Sequence, residues 1–86
     1  MYRVELSREA QRFYERCAQA ASKKLSRCFA SLEKSPRAGN NVKALKGRLA
    51  GSYRYRLGDL RVVYSINDRA VTVYVITIAK RSDAYE

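Results

Sequence analysis

The chain has 86 residues, enough for one domain with a single modest core. Hydrophobic residues make up 47% of it, with one proline and four glycines, which excludes a wholly disordered chain. A net charge of +10 points to a polyanionic partner, with nucleic acid the first candidate. No apolar run approaches the length of a membrane span and no signal peptide is visible, so we expect a cytoplasmic protein with no membrane partner.

The residue types present also restrict the chemistry. Histidine is absent and the carboxylates are not clustered, so we expect no metal site and no cofactor. The absence of histidine also removes the commonest general acid and base. Cys17 and Cys28 fall on the apolar stripes of two predicted helices, as small buried thiols do, and a disulfide between them is not expected.

The first element along the chain is a short strand followed by a helix. Apolar and polar residues alternate over residues 2–6, which indicates a strand with one buried face. Ser7 is positioned as a helix N-cap, and Glu9 would lie in the first turn. The helix that follows has one apolar stripe, formed by Ala10, Phe13, Tyr14 and Cys17.

A second helix is predicted after a turn at residues 18–21, with Ser22 as its candidate N-cap. It should end near Lys34, before Ser35-Pro36. Its apolar stripe repeats the same spacing with Leu25, Cys28, Phe29 and Leu32. The two helices form a hairpin whose apolar stripes need a sheet to cover.

A β-hairpin is predicted for residues 53–66, around a two-residue loop at Gly58-Asp59. Residues 42–51 are read as an irregular lead-in to it. With that loop, Leu57 faces Leu60 and Arg56 faces Arg61. The alternation then puts one set of side chains on the buried face of the sheet: Tyr53, Tyr55, Leu57, Leu60, Val62, Tyr64 and Ile66.

Three arginines of this hairpin, Arg54, Arg56 and Arg61, fall together on its other face. Like charges placed opposite one another destabilise a sheet, so an anion is expected to lie across them, and we take it to be phosphate. The alternative is that they are solvated positions on an exposed face. Other cations nearby are expected to contact RNA, namely Lys43, Lys46, Arg48 and Lys80.

The last predicted strand covers residues 71–78 and is rich in β-branched residues. If Ile66 pairs with Val71, then Val73 pairs with Tyr64, and Tyr74 joins the arginines on the opposite face. The order β-α-α-β-β-β predicts an α+β domain over residues 1–86. Its helical hairpin packs on one face of a four-stranded, mostly antiparallel twisted sheet.

The chain resembles the RelE/ParE superfamily of toxins from bacterial and archaeal toxin–antitoxin pairs. The resemblance covers nearly the whole chain and is sharpest in the hairpin Y-R-x-R-x-G-D-x-R-V-x-Y, followed about twenty residues later by K-R-x-x-x-Y. It is closest to the RelE-like branch. That branch implies an mRNA interferase, an endoribonuclease that enters the ribosomal A site and cuts the message there by attack of the 2′-hydroxyl on the scissile phosphate.

The resemblance also implies site residues. Arg54 and Arg56 match two basic residues of the second sheet strand, Arg61 matches a third-strand arginine, and Arg81 and Tyr85 match a C-terminal Arg and Tyr. Arg54 and Arg56 stand where the best-known member has lysines, and a guanidinium stays protonated near neutrality, so neither can be a general base. Tyr85 could act as a base, orient the 2′-hydroxyl or stack on a base.

The resemblance implies partners too: an acidic, RelB-like antitoxin, and the ribosome with its rRNA and message. Two alternatives stay open. One is a ParE-like toxin that inhibits DNA gyrase and cleaves no RNA. The other is an inactive member that only binds an antitoxin, or a plain RNA-binding module.

Overall fold

The computed structural model describes residues 1–80, which form two α-helices, one short 3₁₀-helix and five β-strands. The strands are β1 (Arg3–Leu6), β2 (Val42–Ala44), β3 (Ser52–Leu57), β4 (Leu60–Asn67) and β5 (Thr72–Lys80). The helices are α1 (Arg8–Arg16) and α2 (Gln19–Lys34), and the 3₁₀-helix is Gly47–Leu49.

The strands form one sheet in the order β1-β5-β4-β3-β2. β1 runs parallel to β5, and the other neighbouring pairs are antiparallel. The predicted α+β fold with a helical hairpin on one sheet face is therefore confirmed, but the sheet has five strands rather than four. The additional strand, β2, is only three residues long, and a segment this short leaves almost no alternation to recognise.

The β3–β4 hairpin has the predicted register. Leu57 lies opposite Leu60, and Arg56 lies opposite Arg61. Gly58 opens the turn at φ 62°, in the left-handed region that favours glycine. The predicted apolar face of this hairpin packs under the helices, where Leu60, Val62 and Tyr64 are buried.

The predicted pairing of the last two strands is wrong by two residues. Ile66 pairs with Val73 instead of Val71, and Tyr64 pairs with Val75. Val71 belongs to the connecting loop, at φ 48°, and a bulge between Val63 and Tyr64 shifts the rest of the register. Because an even shift keeps each side chain on its face, Tyr74 still lies on the face predicted for it.

Three of the four helix ends lie where the sequence predicted them. Ser7 caps α1, with its Oγ accepting a hydrogen bond of 3.0 Å from the backbone N–H of Ala10. The predicted cap at Ser22 is wrong, because α2 already begins at Gln19 and the Ser22 N–H donates to the Ala18 carbonyl within the helix. α2 ends at Lys34 as predicted, and α1 ends at Arg16, before the predicted turn.

The core lies between the helices and the sheet. Its fully buried members include Leu25, Leu32, Val62, Tyr64 and Val75. The Tyr64 hydroxyl donates a 2.6 Å hydrogen bond to the carbonyl of Pro36, which ties the segment after α2 to the centre of the sheet. Both cysteines are free thiols, and burial raises the pKa of Cys28 to about 12.

Candidate nucleic-acid interface

The sheet face away from the helices, called the arginine face below, holds four of the predicted site residues, the three hairpin arginines and Lys43. Directly opposed residues on neighbouring strands point to the same side, so the register assigns its members. Across β2 to β5 these are Lys43, Ser52, Arg54, Arg56, Arg61, Val63, Ser65, Asn67, Thr72, Tyr74, Thr77 and Ala79.

Four cations form two adjacent rows on this face. Lys43 lies opposite Arg54, and Arg56 lies opposite Arg61. Cα atoms of directly opposed antiparallel residues are about 4.5–5.5 Å apart, so each row places two positive side chains side by side. Like charges this close repel, and an anion bound across both rows would relieve that repulsion.

The four cations differ in how much of each meets solvent. Arg56 and Lys43 are exposed. Arg54 and Arg61 are 8% and 6% exposed, and each interacts with another group of the protein. A nearly buried guanidinium needs hydrogen-bonding or ionic partners, so these two form the inner part of the site and Arg56 and Lys43 its solvent-facing part.

The remaining predicted RNA-contacting residues lie in three different places. Lys46 and Arg48 are exposed in and beside the 3₁₀-helix. Its Leu49 lines a cavity of about 250 Å³ together with Val63 and Ile76, so this loop lies next to the arginine face. Lys80 is opposite Leu60 and therefore on the helix side, where it lines a cavity of about 620 Å³. The structure does not bring it to the arginines.

Two predicted site residues, Arg81 and Tyr85, lie outside the described residues. Among residues 1–80, no group of three or more His, Cys, Asp and Glu is placed to hold a metal ion. In the same part of the chain, neither helix combines the length and hydropathy of a membrane span.

Comparison with known proteins identifies the family. The family model described as the ParE toxin of type II toxin–antitoxin systems matches residues 4–85. The chain belongs to this family, within the RelE/ParE superfamily. No curated protein matches the toxin by sequence.

Solved structures similar to the toxin come from archaea and bacteria. A chain of the archaeal RelE–RelB complex from Pyrococcus horikoshii OT3 is 27% identical with a TM-score of 0.82, over 96% of the toxin and 98% of that chain. The toxin–antitoxin complex RelBE2 from Mycobacterium tuberculosis gives 26% identity and a TM-score of 0.80, over 95% and 93%. The intact E. coli RelBE complex gives 25% and 0.80, over the full length of both chains.

Two acidic residues beside the arginine face were not assigned to it from the sequence. Glu5 lies opposite Tyr74 and forms an ion pair with Arg3, with 3.2 Å between Nε and Oε2. Glu9, in the first turn of α1, accepts a hydrogen bond from the hydroxyl of Thr77. The pairing of β1 with β5 brings Glu5 to this face, and Glu9 reaches Thr77 from the start of α1.

A second polar cluster was also missed, at the end of the sheet where β4 turns into β5. The Arg37 guanidinium donates two hydrogen bonds to Asp68, at 2.8 and 3.1 Å, and a third to the Tyr53 hydroxyl. Tyr2 donates to the same carboxylate. These hydrogen bonds hold the pKa of Asp68 below its usual value. The cluster joins four separate segments of the chain, which is a structural role.

Proposed function

We propose that this type II toxin is a ribosome-dependent endoribonuclease that cuts mRNA in the A site and so inhibits translation. The observation that supports this most is the arrangement of four cations in two adjacent rows on one sheet face. A site of this size matches one phosphodiester and its neighbours better than a broad protein surface. The similarity to chains from RelE–RelB and RelBE complexes supports the RelE-like assignment.

The chemistry that these residues supply is electrostatic. Attack of the 2′-hydroxyl on the scissile phosphate builds negative charge on the phosphoryl oxygens and on the leaving 5′-oxygen. Guanidinium groups donate paired hydrogen bonds to such oxygens, and we assign this role to Arg54, Arg56, Arg61 and Arg81. Arg56 is the exposed member of the three hairpin arginines and makes the first contact, above Arg54 and Arg61.

The proposed site residues are poorly suited to proton transfer. The chain has no histidine, and arginine does not release its proton near neutrality. Tyr85 is the remaining candidate to orient or deprotonate the 2′-hydroxyl, since adjacent cations lower the pKa of a tyrosine. A site with strong charge stabilisation and poor acid–base groups depends on the geometry of its substrate. The ribosome would supply that geometry by holding the message in line.

The proposal includes partners and a compartment. We infer an acidic, RelB-like antitoxin that covers the positively charged toxin, as the similar structures are toxin–antitoxin complexes. The ribosome, its rRNA and the message are the other partners. Lys43, Lys46 and Arg48, on or next to the arginine face, are assigned to RNA contact. Lys80 lies on the helix side, so its proposed RNA contact is separate from the arginines. The place of action is the cytoplasm.

The decisive experiment is primer extension on a message incubated with the purified toxin, with and without translating ribosomes. Cleavage should occur inside the reading frame and only with ribosomes present. Arg56→Gln and Arg81→Ala should each lower the cleavage rate, by about 100-fold or more for loss of one transition-state donor. Arg27→Gln removes an exposed charge from α2 and should cleave normally. Rapid cleavage of free RNA would contradict the proposed ribosome dependence.

A second candidate, inhibition of DNA gyrase, has one observation in its favour, the match to the ParE family model. Expression of the toxin in cells separates the two. The nuclease stops incorporation of labelled amino acids before any DNA damage, whereas a gyrase inhibitor causes DNA breaks while translation continues. If neither occurs, and Arg81→Ala behaves as the unmodified chain, the protein is an inactive member that only binds its antitoxin.

A further inference from the structure

Tyr74 is an exposed aromatic residue in the interior of the sheet. It lies on β5, between β1 and β4, and is 43% exposed. Its neighbours across the strands are Ser65 on one side and Glu5 on the other, and Ser65 in turn faces Ser52. Small serine side chains leave the tyrosine ring uncovered on the arginine face.

The other five tyrosines of residues 1–80 are held by the fold: four of them use their hydroxyls in hydrogen bonds, and the fifth, Tyr55, packs against the core. Hydroxyl hydrogen bonds are formed by Tyr2 to Asp68, Tyr14 with Ser26, Tyr53 with Arg37, and Tyr64 to Pro36. No such bond to the Tyr74 hydroxyl is found among residues 1–80. Tyr74 is also outside the core cluster and the partly buried residues that pack on it. Packing therefore does not account for an aromatic residue at this position.

The position of Tyr74 relative to the arginines fits a short nucleic-acid strand. It lies two strands and one row from Arg54, which is roughly 12 Å between Cα atoms by the spacing of residues in a sheet. The side chains at the two ends differ in chemistry. Cations gather at the arginine end, whereas the Glu5 carboxylate beside Tyr74 is paired with Arg3. The arginine end suits a phosphate, and the Tyr74 end suits the flat, uncharged surface of a base.

We propose that Tyr74 stacks on a base of the single-stranded RNA whose phosphate is held by the arginines. This inference rests on the proposed function and adds a base-binding position to it. Aromatic side chains on an exposed sheet surface bind unpaired bases in this way, and such stacking tolerates different bases. Tyr74 is thus a positioning residue, which sets the path of the strand across the sheet toward the arginines.

The test uses the absence of tryptophan from the chain. Tyr74→Trp creates a single fluorescent reporter at the proposed stacking position, and a stacked base should quench its emission. Two ligands separate base from phosphate: a short oligoadenylate, and inorganic tripolyphosphate, which carries charge without bases. Oligoadenylate should quench the reporter, and tripolyphosphate should displace the oligonucleotide without quenching. Ala20→Trp, on an exposed position of α2, is the control and should not respond to either ligand.

Affinity measurements on Tyr74 variants are the second test of the stacking proposal. Tyr74→Ser should weaken oligoadenylate binding between about 5-fold and about 150-fold, the range for loss of one base–aromatic stack. Tyr74→Phe retains the ring and should bind as the unmodified toxin does. Tyr74→Ser should leave tripolyphosphate binding unchanged, whereas a variant that had lost its fold would also lose tripolyphosphate binding.

The inference is overturned if oligoadenylate binds without quenching the reporter, if Tyr74→Ser binds it normally, or if the oligonucleotide does not bind at low salt. These results are independent of the cleavage assay, because no ribosome is present. A toxin that stacks RNA on Tyr74 but never cleaves a message would refute only the proposed function. A toxin that cleaves with Tyr74→Ser at the normal rate and affinity would refute only the stacking.

Discussion

Replacing Arg56 by Gln should lower the salt dependence of RNA binding by one phosphate contact. Each phosphate of a single strand that a protein neutralises contributes about 0.7 to the slope of log affinity against log salt. Arg56 is exposed on the arginine face near the β3–β4 turn, opposite Arg61. The substitution keeps a polar side chain of similar length, so the loss of charge is isolated from the loss of volume.

The burial of the four cations determines how many of them contact phosphate, and so the total salt slope of the unmodified toxin. If only the exposed pair, Arg56 and Lys43, reaches phosphate, these contacts contribute a slope of about 1.4, and if Arg54 and Arg61 also reach it the slope is about 2.8. Between 50 and 200 mM salt these slopes correspond to losses in affinity of about 7-fold and about 50-fold. Arg54→Gln then distinguishes the two cases, because it lowers the slope only if this nearly buried guanidinium contacts the RNA.

The assay is fluorescence anisotropy of a labelled single-stranded RNA titrated with toxin at several salt concentrations. Arg56→Gln should lower the slope by about 0.7, and Arg27→Gln on α2 should leave it unchanged. Thermal unfolding of each variant checks that the fold is retained. An Arg56→Gln slope equal to that of the unmodified toxin, or an equal fall for Arg27→Gln, would show that RNA does not bind on the arginine face.

Three further predictions concern the fold that carries the site. Tyr64→Phe leaves the Pro36 carbonyl without its hydrogen-bond donor and should lower the free energy of unfolding by about 1–3 kcal/mol. Each kcal/mol should lower the melting temperature, followed by circular dichroism, by about 4–8 °C. Tyr74→Phe is the control and should melt at the temperature of the unmodified toxin. Arg37 lowers the pKa of Asp68 in the folded state. Their pairing therefore contributes fully to stability above the usual aspartate pKa of about 4, and this contribution is lost as the pH falls through the lowered pKa of the folded state. Asp68→Asn should flatten the loss of stability in acid unfolding, and an unchanged acid profile would contradict this. Burial raises the pKa of Cys28 to about 12, so the folded state keeps a proton that the unfolded state loses above about 8.5. Denaturant titrations should show stability falling as pH rises above that value, and Cys28→Ala should remove this part of the slope.

The elements that the sequence predicted well are those with local signals. The hairpin is encoded by strict alternation on both sides of Gly58-Asp59, and its register follows from the loop length alone. Ser7 is followed at once by the apolar stripe of α1, so its role as a cap is a local property. The same locality explains why Arg54, Arg56 and Arg61 could be placed on one face without coordinates.

The features that were missed depend on contacts between distant segments. β2 has three residues and becomes a strand only because Lys43 and its neighbours pair with β3. The parallel pairing of β1 with β5, which brings Glu5 to the arginine face, joins the two ends of the described chain. The bulge beside Val63 has no signal in the alternation, because almost every residue of β5 is apolar or β-branched, so either register buries a suitable side chain.

Burial is the property of the site that alternation cannot supply. A strand pattern assigns Arg54 and Arg56 to the same face, yet one is nearly buried and the other is exposed. The difference arises from the neighbouring segments that cover each side chain. Leu49, in the loop after β2, lines a cavity with Val63, and Val63 is the residue directly opposite Arg54. An arginine held below the surface contributes a positive potential that is screened less by salt, whereas an exposed one makes the direct and salt-sensitive contact. If Arg54 does not contact the RNA directly, the two arginines are therefore expected to differ: loss of Arg56 should weaken RNA binding most at low salt, and loss of Arg54 should weaken it at every salt concentration without changing the slope.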